Sequence, residues 1–87
     1  MKPEDIRATV LRVLGQIAPE ADLSAIKPER NLRDQLDIDS MDFLNFLIGL
    51  DKELHVDIPE RDYGQLTTLD ACVRYVTARI ASTSRNG

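Results

Sequence analysis

The chain of 87 residues is 43% hydrophobic and 30% charged, the balance of one small globular domain rather than a disordered segment. Its single cysteine, Cys72, excludes an internal disulfide, and its single histidine, His55, leaves no zinc cluster to assemble. No apolar run approaches the ~18–20 residues of a membrane span, and Lys2, Pro3, Glu4 and Asp5 do not resemble a signal peptide, so a cytoplasmic domain without membrane insertion is expected. A domain of this size buries only ~60–65% of its unfolded surface, so modest stability is expected.

The net charge of −4 is unevenly spread. Residues 1–35 carry 6 basic and 6 acidic side chains and cancel. Residues 36–62 carry 8 acidic side chains against Lys52 and Arg61, a local balance of −6. Residues 63–87 carry Asp70 against three arginines. An acidic middle repels nucleic acid and favours basic protein partners, because oriented charge steers encounter. A solvated helix face would show the same charge.

Helical spacing dominates the chain. Ile6, Val10, Val13, Leu14 and Ile17 lie on one apolar face, Pro3 suits the first turn, and Pro19 stops the run, which predicts a helix over 3–17. Residues 18–38 hold Pro19, Pro28 and Asn31 without periodicity, which predicts a long connection pinned by Leu23, Ile26, Leu32 and Leu36. Within it, Asp22 or Ser24 could open a brief helical turn.

A second helix is predicted from Asp39, as its cap, to about Leu54, before a short extended stretch that Pro59 closes. Glu60 to Gly64 could make a short third helix. Thr67 and Asp70 resemble a capping box for the last helix, whose face is Leu69, Val73, Val76 and Ile80. The domain is expected to span 1–81, with a frayed tail over 82–87.

The second helix is strongly apolar. A helix that packs on one side needs three or four apolar positions per two turns, and the eight between Met41 and Leu54 reach the top of that range over its roughly four turns. Phe43, Phe46, Leu47, Leu50 and Leu54 form one stripe. Met41, Leu44 and Ile48 form a second, on the face that carries Ser40. Either the helix is buried on two sides or the second stripe is exposed for a partner.

Ser40 has no base in reach. His55 lies 15 residues away, ~22 Å along a continuous helix, whereas a nucleophile needs its base within ~3 Å. No glycine-rich phosphate loop exists. No catalytic residue is therefore assigned, and Ser40 is either a helix cap or a hydroxyl that another enzyme modifies.

Leu36-Asp37-Ile38-Asp39-Ser40-Met41-Asp42 resembles the phosphopantetheine attachment motif of acyl carrier proteins, usually a glycine, a variable residue, then Asp-Ser-Leu. The likeness continues through Leu54, Val56-Asp57-Ile58-Pro59, Leu66-Thr67-Thr68-Leu69 and Tyr75-Val76, covering about Asn31 to Ile80. The resemblance implies an all-α antiparallel four-helix bundle, with a short third helix and a long loop between helices 1 and 2. It implies that Ser40, beside its motif neighbour Asp39, carries a 4′-phosphopantetheine arm derived from coenzyme A. The arm would hold an acyl group as a thioester for enzymes of lipid, fatty-acid or polyketide-type biosynthesis. By the same likeness, Met41, Leu44 and Ile48 would dock partners, rimmed by Asp37, Asp39, Asp42, Asp51 and Glu53. Those partners would be a phosphopantetheinyl transferase and acyl-processing enzymes such as an acyl ligase, acyl transferase or ketosynthase, visited by a monomeric carrier without catalytic activity. Phe43, Phe46, Leu50, Leu54, Ile58, Leu66 and Val73 would line a shelter for the acyl chain or simply form core.

Three features depart from the family pattern. Asp37 replaces the usual glycine, adding charge and stiffness before the attachment site. Met41 replaces the usual leucine, conserving volume. The overall charge is milder than in housekeeping fatty-acid carriers. These point to a specialised member. An aminoacyl carrier, for D-alanine or a peptide pathway, would share the same serine and bundle. An unmodified helical adaptor using the Met41/Leu44/Ile48 patch is the rival of another class, and a hydrolase is the weakest.

Overall fold

The computed structural model describes residues 2–86, with side chains described as far as Ala81. Four α-helices, α1 (Pro3–Ile17), α2 (Leu32–Leu36), α3 (Ser40–Leu54) and α4 (Leu69–Asn86), are joined by connections that include 3₁₀ turns at Leu23–Ala25 and Glu60–Gln65. The expected frayed tail over 82–87 falls on residues whose side chains lie outside those described.

α1 begins where Pro3 needs no N–H partner, with Glu4 and Asp5 at the positive helix end. The carbonyl of Lys2 accepts from the N–H groups of Asp5 and Ile6, both at 3.0 Å. The helix closes with the Ala18 N–H donating to the Leu14 carbonyl at 2.8 Å, just before Pro19. Ile6, Val10, Val13 and Leu14 are buried as their spacing predicts.

The long connection is more ordered than its lack of periodicity suggests. Asp22 caps the first 3₁₀ turn, accepting from the Ser24 N–H at 3.1 Å and the Ser24 hydroxyl at 2.6 Å. Asn31 caps α2 by accepting from the N–H groups of Arg33 and Asp34. Leu32 is fully buried, while Leu23, Ile26 and Leu36 pack against the core from its edge. A helix of five residues is shorter than two turns, so it carries no readable repeat.

α3 has the predicted bounds, with Asp39 accepting from the Asp42 N–H at 2.8 Å. It ends in the left-handed residue His55 (φ 52°), and the Val56 N–H reaches back to the Asp51 carbonyl at 3.3 Å, a pattern that satisfies a terminal carbonyl. The expected short third helix is present as 3₁₀ over Glu60–Gln65. The cap of α4 is Thr68 rather than Thr67. Its Oγ1 accepts from the Ala71 N–H at 3.0 Å, because the capping residue is the one immediately before the helix. Thr67 instead offers its carbonyl to the Leu32 N–H at 2.8 Å. That bond and the isolated bridge between Asn31 and Thr68 tie α2 to the start of α4.

α1 is the central helix, packing against both α3 and α4. Val13 meets Gly49 and Arg12 meets Glu53, while Ala18 at the end of α1 lines one groove with Asp37 just ahead of α3, so α3 runs antiparallel to it. The Arg12–Glu53 ion pair, 3.1 Å long and well exposed, adds at most ~1 kcal/mol. Gly49 matters more. A Cβ there would stand 2.8 Å from Cγ1 of buried Val13, a β-branched side chain with little rotamer freedom. Gly49→Ala is therefore expected to destabilise by about 1 kcal/mol or more, overpacking outweighing the ~1 kcal/mol helix-propensity gain. Thermal melts check this, and a raised Tm would show that α1 and α3 have room to separate.

Among the described residues no helix is long and apolar enough to cross a membrane.

Candidate functional site

The short chain from α2 to α3 sets the site. Asp37 occupies the left-handed region (φ 54°, ψ 44°), which glycine adopts freely and aspartate tolerates better than most residues. It reverses the chain after α2. Ile38 is buried beneath it and anchors the turn. Asp39 is extended, as an N-cap must be, and spends its carboxylate on the Asp42 N–H.

Ser40 is thus the first residue of α3 and not its cap. It is exposed, and among the described residues its hydroxyl has no hydrogen-bond partner. The N–H groups of Ser40 and Met41, at the start of the helix, have no intrahelical acceptor, and the helix dipole adds partial positive charge there. The site therefore combines a free hydroxyl with backbone donors suited to a phosphate oxygen. The aspartates at 37, 39 and 42 offset part of that attraction.

Of the two alternatives the spacing leaves open for α3, the structure shows one stripe in the core and the other at the surface. Phe46, Leu47, Leu50 and Leu54 are buried. Met41 is 63% exposed and Ile48 42%, with Leu44 half-buried between them. Asp37 and Asp39 are exposed beside this patch, and Asp42 and Asp51 are half-buried. Glu53 is exposed but held by Arg12 of α1. Of the residues considered for an acyl shelter, Phe46, Leu50, Leu54, Ile58 and Leu66 are core, while Phe43 and Val73 pack on its edge. The rings of Phe43 and Phe46 lie 5.9 Å apart and tilted by 41°. His55 sits at the opposite end of α3 from Ser40.

Away from this site, Cys72 is fully buried and donates its thiol to the Leu66 carbonyl at 3.3 Å. Burial pushes its pKa up to about 12 from 9.0. The Tyr75 phenol is also raised, by desolvation and by its hydrogen bond to Asp62. Groups raised in the folded state contribute stability in full below their unfolded pKa and lose it as pH climbs through the folded value. Alkaline titration should therefore leave Tm unchanged by Cys72 up to about pH 9 and lower it steadily toward 12. A Cys72→Ser variant with the same alkaline profile would contradict this assignment.

A family model described as the phosphopantetheine attachment site matches residues 4–76, from the first turn of α1 well into α4. An acyl carrier protein of Rubrobacter xylanophilus is 27% identical over 73 residues, covering 80% of this chain and 90% of that protein. The acyl carrier protein AcpXL of Rhizobium meliloti is 40% identical over 62 residues, covering 69% of this chain and 65% of that protein. Among solved structures, the acyl carrier protein from Enterococcus faecalis shares the fold, with a TM-score of 0.76 at 22% identity over 91% of this chain and 99% of that one.

Proposed function

The chain belongs to the phosphopantetheine-attachment family as an acyl carrier protein with 4′-phosphopantetheine as its cofactor, and on that premise we propose that Ser40 is the residue that bears it. The observation that carries this reading is the Ser40 hydroxyl, exposed at the start of α3 while Asp39 takes the capping role. When bound, the arm holds an acyl group as a thioester on its terminal thiol. Ser40 would anchor the phosphodiester through its hydroxyl oxygen, and the N–H groups of Ser40 and Met41, without intrahelical acceptors, would be available to its oxygens. Asp39 and Ile38 hold the turn that keeps Ser40 outside the core. The protein is a carrier rather than an enzyme, and its work is to raise the effective concentration of a tethered cargo.

Carriers of this family serve a phosphopantetheinyl transferase and acyl-processing enzymes. We assign their docking to Met41, Leu44 and Ile48, with Asp37, Asp42 and Asp51 as an acidic rim for basic partner surfaces. Exposed Met41 and Ile48 support this reading. Glu53, paired with Arg12, contributes less free charge. Leu44→Glu is expected to keep the helical circular-dichroism signal while slowing transfer by partner enzymes at least tenfold. Loss of the helical signal would make Leu44 part of the core. A cytoplasmic setting fits such partners.

Incubation with coenzyme A and a broad-specificity phosphopantetheinyl transferase tests the function. The expected result is an intact mass increased by one phosphopantetheine. Protein that stays unmodified with that enzyme, and is also unmodified when purified from its own source, would favour the adaptor.

A further inference from the structure

A groove of about 410 Å³ opens between the C-terminal end of α1, the connection after it and the end of α2. It lies at the Ser40 end of the bundle. Because α3 runs antiparallel to α1, the end of α1 at Ala18 and the start of α3 face the same way. Asp37, three residues before Ser40, is part of the groove wall, beside Leu36. Three residues of chain span at most ~11 Å, which an extended phosphopantetheine exceeds.

The groove is pre-formed. Its outer wall is fastened by Gln35, whose side chain accepts from the Lys27 N–H at 2.9 Å and donates to the carbonyls of Lys27 and Arg30 at 2.9 and 3.1 Å. Asp22 fixes the facing 3₁₀ turn through Ser24. Ala18, Ala21, Ala25, Ile26 and Leu36 supply its apolar lining, and Gln35 and the charged Glu20, Asp22, Lys27, Arg30 and Asp37 its polar lining. Small side chains here leave width for a chain to enter. A lining that mixes apolar side chains with hydrogen-bonding groups, its opposite charges nearly balanced, matches an uncharged chain that alternates methylene and amide groups and carries two geminal methyls.

We propose that this groove is the resting site of the pantetheine portion of the arm on the free carrier. The inference rests on the assignment of attachment to Ser40. Tethering supplies an effective concentration in the millimolar range, so an intrinsic affinity that weak is enough to fill the groove about half the time. A docking enzyme competes for the arm at little cost, and the thiol is kept close to the surface between visits.

Nuclear magnetic resonance on the apo and loaded forms tests the proposal. Loading is expected to shift the amide signals of Ala21, Ala25, Ile26 and Leu36, with Overhauser contacts from the geminal methyls of the arm to Ile26. Ala25→Phe, at an exposed position, should still load but lose those contacts. Shifts confined to residues 38–43, with arm signals matching free pantetheine, would overturn the resting site and leave the carrier intact. Shifts in the groove that appear only on adding a partner enzyme would assign it to that partner and equally overturn the proposal. Failure to load, read separately by mass, would remove the Ser40 assignment and this inference with it.

Discussion

Ser40→Ala should leave the fold unchanged and abolish loading with phosphopantetheine completely. The side chain is exposed and makes no bond to described residues, and Asp39, not Ser40, caps the helix. Alanine at the first helical position keeps or slightly raises helix propensity. Stability is therefore expected to stay within about 0.5 kcal/mol of the wild type, as for other surface substitutions. Loading, by contrast, is all-or-none, because no other hydroxyl occupies the start of α3. A variant that still supports every function of the wild type would identify the protein as an adaptor working through the Met41/Leu44/Ile48 patch. A variant that unfolds would mean the hydroxyl has a structural role.

Phe46→Ala should be the most damaging single substitution in α3. Phe46 is fully buried and heads the largest side chains of the core. It also stacks at a tilt against Phe43. Removing a buried phenylalanine ring costs ~3–5 kcal/mol, and domains of this kind hold only ~5–15 kcal/mol in total, small ones toward the lower end. In a domain this size each kcal/mol moves Tm by ~4–8 °C, so Tm should fall by ~12 °C or more. With only two phenylalanines and two tyrosines in the chain, no other ring replaces it. Phe43→Ala, at the edge of the core, should cost less. An unchanged Tm for Phe46→Ala would remove it from the core.

Much of this architecture was legible because it is periodic or capped by type. The 4, 3, 1, 3 spacing of α1 with Pro3 and Pro19 at its ends placed both bounds, and Asp39 with the stripe from Phe43 to Leu54 placed those of α3. The spacing of α3 separates its apolar residues into two stripes but leaves open whether the second is buried, and the packing answers that with buried Phe46 and Leu50 against exposed Met41 and Ile48. α2 was hidden, because its signal is one asparagine cap and one buried leucine. The α4 cap was misplaced by one residue because two threonines adjoin, and only backbone direction decides which hydroxyl meets the Ala71 N–H. Gly49 gave no sign, since close approach of α1 is a tertiary fact. Asp37 was recognised as standing in for a glycine, but its left-handed backbone supplies the reason: the turn into α3 needs a residue that accepts positive φ.

The measurement that bears most directly on the central claim is the mass of one tryptic peptide. Cleavage after Arg33 and Lys52 yields residues 34–52, in which Ser40 is the only hydroxyl-bearing side chain. After loading from coenzyme A, this peptide should carry the whole added mass of one phosphopantetheine and every other peptide none. The added mass on a peptide containing Ser24, or on one from the C-terminal helix, would contradict the assignment of Ser40.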